Sequence, residues 1–137
     1  MKRRTMRILA IIFALFMLLS IVAFAAQESS AYIAATNGYI TYSGNNVNVY
    51  FSVVGSYPMN EIGVSEILLF EKNGNVWTRV YIFDANDPAY TSDMLSYNTS
   101  AKADHVTYSG DSTKSYFAIL YFYAADNYGS DTIIYYT

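Results

Sequence analysis

The chain predicts an all-β domain, a sandwich or barrel, behind a short N-terminal leader, and three observations carry that reading. Beyond the leader, no run repeats apolar residues at helical spacing. Runs of four to eight residues rich in Val, Ile, Tyr, Phe and Thr recur instead, separated by Gly, Asn, Asp and Pro. Aromatic residues make up 18% of the chain, and all 15 tyrosines lie beyond the leader, as expected of pleated surfaces that pack rings across strands.

The leader comes first. Lys2, Arg3, Arg4 and Arg7 precede an uncharged stretch, Ile8 to Val22, and Ala23-Phe24-Ala25 supplies small residues where a signal peptidase reads. A cationic start, a short apolar run and an A-x-A exit form a secretory signal peptide, helical while in the membrane. An uncleaved anchor is the alternative, because Ile8 to Ala26 nearly reaches the roughly 20 residues a bilayer span needs. The expected organisation is a signal peptide over residues 1–25, an N-terminal extension over 26–37 and one β-domain over 38–137. The expected location is outside the cell, with membrane contact only through an uncleaved leader.

Cleavage takes four of eight basic residues and none of eleven acids, so four bases against eleven acids leave a net charge of about −7. Such a surface has no footprint for nucleic acid or anionic lipid. The absence of cysteine excludes disulfides, thiolate metal sites and a cysteine nucleophile. About 112 residues suffice to hold a core by burial alone.

The strands follow in order. Gly38–Ser43 ends at Gly44-Asn45-Asn46. In VNVYFSVV, Val47, Val49, Phe51 and Val53 form a uniformly apolar set expected to face the core. A loop at Pro58 separates it from SEILLFEK (65–72). Asn73-Gly74 then joins that strand to VWTRVYIF (76–83), because Asn-Gly suits the positive φ angles of a type I′ hairpin turn. Asp84 to Ser100 is polar, lacks alternation and is long for a plain connection, which leaves room for a short edge strand or a functional role. HVTYS (105–109), a turn at Gly110-Asp111, SYFAILYFYAA and TIIYYT complete seven strands.

In that order, EILLFEKNGNVWTRV and VTYSGDSTKSYFAILYFYAADNYGSD resemble the paired C–C′ strands and the E–F–G stretch of fibronectin type III and related immunoglobulin-like domains. The resemblance implies a sandwich of about seven antiparallel strands, with Tyr116 as the corner tyrosine whose hydroxyl bonds back to the preceding connection. Phe122 departs from it, standing where that family carries a small residue. More narrowly, Glu61-Ile62-Gly63 through Trp77, and Tyr97-Asn98-Thr99-Ser100 through Asp131, are similar to blocks of small secreted β-domains of Gram-positive bacteria. That likeness implies a bacterial, secreted β-fold and carries no catalytic residue with it.

The chemistry census is short. His105 is the only histidine; Asp104 beside it on a strand points to the opposite face, so the two are not expected to pair as a triad requires. One histidine without cysteine does not build a usual zinc or copper site, and no metal or other cofactor is predicted. Asp84, Asn86, Asp87 and Asp93 could offer calcium its oxygens, but they fail the EF-hand spacing and read first as turn chemistry. Whether that loop binds calcium or covers the sheet stays open.

The last long strand divides into two faces. Tyr116, Ala118, Leu120 and Phe122 take the inward register. Phe117, Ile119, Tyr121 and Tyr123 point the other way, where a soluble sheet ordinarily shows polar groups, and are the candidate ligand-binding residues. The expected function is a secreted, non-enzymatic binding module for a protein or glycan, acting through this aromatic sheet face or the Asp84–Ser100 loop. Self-association as a structural protein is the alternative, and a small hydrolase ranks behind both.

Overall fold

The computed structural model describes residues 30–137; the leader and its cleavage site lie outside the described residues. Six strands form one antiparallel sheet: β1 (Ile33–Ser43), β2 (Asn46–Asn73), β3 (Val76–Asp84), β4 (Leu95–Ser109), β5 (Tyr116–Ala125) and β6 (Ser130–Tyr136). A single-turn helix, α1 (Thr91–Met94), precedes β4. The long strand β2 organises everything. Its first part, through Val54, pairs with β1 on one side and β4 on the other. From Glu61 onward it pairs with β5, which in turn pairs with β6, and the stretch beyond Glu66 also holds β3. The sheet curls so that these two halves close around one core.

That core follows from alternation. Val47, Val49, Phe51 and Val53 from the first half meet Ile67, Leu69, Phe83, Leu120 and Phe122 from the second in a single buried cluster. Phe122 is fully buried and meets Tyr135 edge-on. Burying side chains of this size contributes about 1.5–3 kcal/mol each. At the Asn73-Gly74 turn Gly74 has φ +61°, the left-handed conformation for which glycine is suited.

The seven expected strands are six, because the stretch expected as a loop at Pro58 stays extended. The β4 register breaks there, between Val54 and Met59. Pro58 therefore costs no ladder hydrogen bond, and the bend lets one strand serve both halves. The first strand also begins at Ile33 and not at Gly38, since Ile33 is buried and pairs with Gly55. Most of the expected Asp84–Ser100 loop is structured. After a turn, α1 buries Met94, and β4 starts at Leu95. Alternation fails in β4 because the positions opposite Phe51 and Val53 hold Asp104 and Lys102. Charges turned inward along an edge strand are a common guard against edge-to-edge pairing. Here Lys102 Nζ donates to the α1 carbonyl of Ser92 at 2.9 Å and to Asp104 Oδ2 at 3.0 Å.

Tyr116 ties the β4–β5 corner. Its hydroxyl accepts the Asp111 amide at 2.9 Å and donates to Glu71 Oε2 at 2.7 Å. Lys114 Nζ donates to Glu71 Oε1 at 2.6 Å, so the one acid buried among the described residues is fully engaged. The Lys114 and Tyr116 hydrogen bonds hold the Glu71 carboxyl below the usual range. Burial and the Glu71 hydrogen bond push the Tyr116 hydroxyl up to about 12.

Candidate functional site

Two outer faces remain, one on each half of the curled sheet. On the β3–β2–β5–β6 half, the cross-strand register decides which side chains stand together. Phe117, Ile119, Tyr121 and Tyr123 alternate with buried neighbours and are half-buried on the outside of β5. Phe70 lies opposite Phe117, Leu68 opposite Ile119 and Glu66 opposite Tyr121. On the other side Tyr136 lies opposite Ile119 and Ile134 opposite Tyr121. Across β2, Ile82 faces Leu68, Arg79 faces Phe70 and Trp77 faces Lys72. Directly opposed residues share a face and touch.

The rings at one end are ordered. Phe70 and Phe117 stack at 4.7 Å with planes 2° apart, and Trp77 meets Phe117 edge-on at 4.8 Å. Lys72 Nζ lies 5.8 Å from the Trp77 ring centre, within cation–π range. Several large apolar groups stay open to solvent: Trp77 at 41%, Ile82 at 41%, Ile134 at 48% and Tyr136 at 65%. A contiguous apolar face of this kind is uncommon on a domain that touches nothing.

Sequence reasoning located the β5 stripe and missed its flanks. Leu68 and Phe70 are the even set of SEILLFEK, whose odd set is buried, so the signal was present. Combining the stripes needed the strand order, which joins β2 to β5 across more than 40 residues of chain.

The opposite face, on β1–β2–β4, differs in chemistry. Tyr39 stacks on Tyr50 at 5.1 Å, and Tyr50 on His105 at 4.8 Å. Thr107 Oγ1 donates to Asn48 Oδ1 at 2.8 Å beside them. An open depression of about 420 Å³ lies here, lined by Asn37, Tyr39, Tyr50, Ser52, Asp104 and His105. As expected, Asp104 and His105 leave β4 on opposite faces and do not pair as a triad requires, although they come close at its edge. Asp104 Oδ1 accepts the His105 backbone amide at 2.9 Å and sits 3.6 Å from Nδ1. The carboxylate reaches back around the edge of β4, which an edge strand allows. That separation is too long for a hydrogen bond, and the ring is committed to its stack.

Within the 84–93 stretch, Asp84 and Asp87 serve the backbone. Asp84 Oδ1 accepts the Asn86 amide at 2.9 Å, and Asp87 Oδ1 accepts the Ala89 amide at 2.9 Å. Among the described residues no three His, Asp or Glu side chains group as metal ligands, and no helix is long and apolar enough to cross a membrane. The stretch closes the end of the core, where Tyr90 packs on Phe83 at 5.2 Å and Ala85 and Met94 are buried. Comparison with protein-family models, curated proteins and solved structures finds no match.

Proposed function

We propose that the protein is a secreted, non-enzymatic interaction module that engages a protein or glycan through the outer face of β3–β2–β5–β6. The observation that carries this reading is the contiguous face built by Phe70, Trp77, Phe117, Ile119, Tyr121 and Tyr136, apolar on a side where a soluble sheet is ordinarily polar. Tyrosine and tryptophan supply rigid contact area with a polar tip, suited to recognition. The acidic balance left by leader removal fits an exported bacterial domain with no nucleic acid partner.

The architecture is read as immunoglobulin-like. In favour stand the grouping of β1, β2 and β4 against β3, β2, β5 and β6, and the Tyr116 hydroxyl bonded back to Asp111. In such domains strands are rigid platforms, and a sheet face is a natural docking surface.

The test compares the wild-type chain with a Tyr121→Ser, Tyr123→Ser variant, on a glycan array and in capture from the culture medium. The variant is expected to keep its melting temperature within a few degrees and to lose at least tenfold in capture. Equal capture by both proteins overturns the assignment of this face.

A further inference from the structure

The charges at the ends of the face select its partner. At one end Glu66 and Asp84 are directly opposed across β2 and β3. Like charges so placed repel. Among the described residues neither makes an ion pair. At the other end stand Lys72 and Arg79, also without ion pairs among the described residues. Between them lie Leu68, Phe70 and Ile82 on these strands, continued by Phe117, Ile119 and Ile134. Glu66 and Lys72 are both on β2, about 20 Å apart at the rise of an extended strand.

A face that is acidic at one end, apolar in the middle and basic at the other complements itself when turned through a half-rotation. We infer that the occupant of this face is a second copy of the same chain. The two copies pack face to face about a two-fold axis near Leu68 and Ile119, with Glu66 and Asp84 of each copy over Lys72 and Arg79 of the other. This inference rests on the reading of the face as the interaction surface, and names its partner. Isologous contacts need this self-complementarity, and twisted sheets pack face to face about 10 Å apart with their strands near −30°. Four strands over some 20 Å offer only about 400–500 Å² per copy, at the small end for specific contacts. The dimer is therefore reversible, with half-dissociation on the order of 10–100 µM.

Sedimentation velocity on the protein purified from cells expressing the full gene, its N-terminus read by mass spectrometry, tests this between 5 and about 500 µM. The wild type is expected to pass from monomer to dimer across that range. Two charge variants are made, K72E with R79E, and E66K with D84N, the asparagine keeping an acceptor for the Asn86 amide. Each alone should weaken self-association at least tenfold, and their equimolar mixture should restore a heterodimer within about threefold of wild-type affinity. Circular dichroism melts verify that both variants fold. A wild type that stays monomeric at 500 µM, or variants that dimerise like wild type, overturns the inference. Monomeric wild type with capture still lost in the Tyr121→Ser, Tyr123→Ser variant leaves the binding face standing and removes only the second copy as its partner.

Discussion

The two outer faces of this sheet share a core and the strand β2, yet they solve exposure differently. On β1–β2–β4 the exposed groups satisfy one another: the Tyr39–Tyr50–His105 rings are stacked, and Thr107 bonds to Asn48. On β3–β2–β5–β6 aliphatic and aromatic groups fill the centre, while charges without ion pairs among the described residues stand at the two ends. The first face is finished within the chain. The second leaves apolar area open to solvent and its end charges without ion pairs among the described residues. Strand register produces this contrast, because it gathers apolar stripes from four strands on one side only.

Breaking what both faces share should have the largest effect. Phe122→Ala empties the core between the halves and is expected to cost about 3–5 kcal/mol, read by chemical denaturation. Gly63→Ala should cost a comparable amount, since a Cβ there would run into the Met94 carbonyl oxygen where β4 begins beside β2. Either variant should degrade both faces together. Survival of one face alone would show that the halves fold independently.

A smaller effect is expected at the β4–β5 corner. Tyr116→Phe strands the buried Glu71 oxygen and the Asp111 amide, for about 1–3 kcal/mol. The same site sets the pH response. Glu71 titrates below its unfolded value, so its contribution is present above the ordinary carboxylate range and is lost as pH falls through its lowered native pKa. Tyr116 is raised to about 12, so stability also falls as pH climbs above 10, where only the unfolded tyrosine ionises. In melts from pH 2 to 7, Glu71→Gln should flatten the acid limb. An unchanged acid limb would remove Glu71 from the account.

The smallest stability effects sharpen the contrast between the faces. Tyr50→Ser removes the middle ring of the stack and should cost about 1 kcal/mol while leaving partner capture and self-association intact. Ile119→Ser on the other face should change stability by less than about 1 kcal/mol and abolish association. If the two variants behaved alike, the proposed division of labour would be wrong.

Periodicity served well where a strand has one buried side. Val47 to Val53 and the two faces of β5 could be read directly, because burial imposes a two-residue repeat. It misled at β4, whose inward positions hold Lys102 and Asp104, and at Pro58, where a turn residue sits in a bend that remains extended. The Phe117–Tyr123 stripe was legible for the same reason as the core. Its flanks were legible only strand by strand, since nothing local says that β3, β2, β5 and β6 lie side by side.

The amino-acid sequence by itself determined the all-β class, the Asn73-Gly74 turn, the inward set of each regular strand and a complement of one histidine and no cysteine. These depend on residue type and near neighbours. Tertiary structure alone decided that one strand would serve both halves, and that Glu66 with Asp84 would stand at one end of an apolar face with Lys72 and Arg79 at the other. Those arrangements depend on the pairing of distant segments, and register is fixed only when the whole sheet closes on its core.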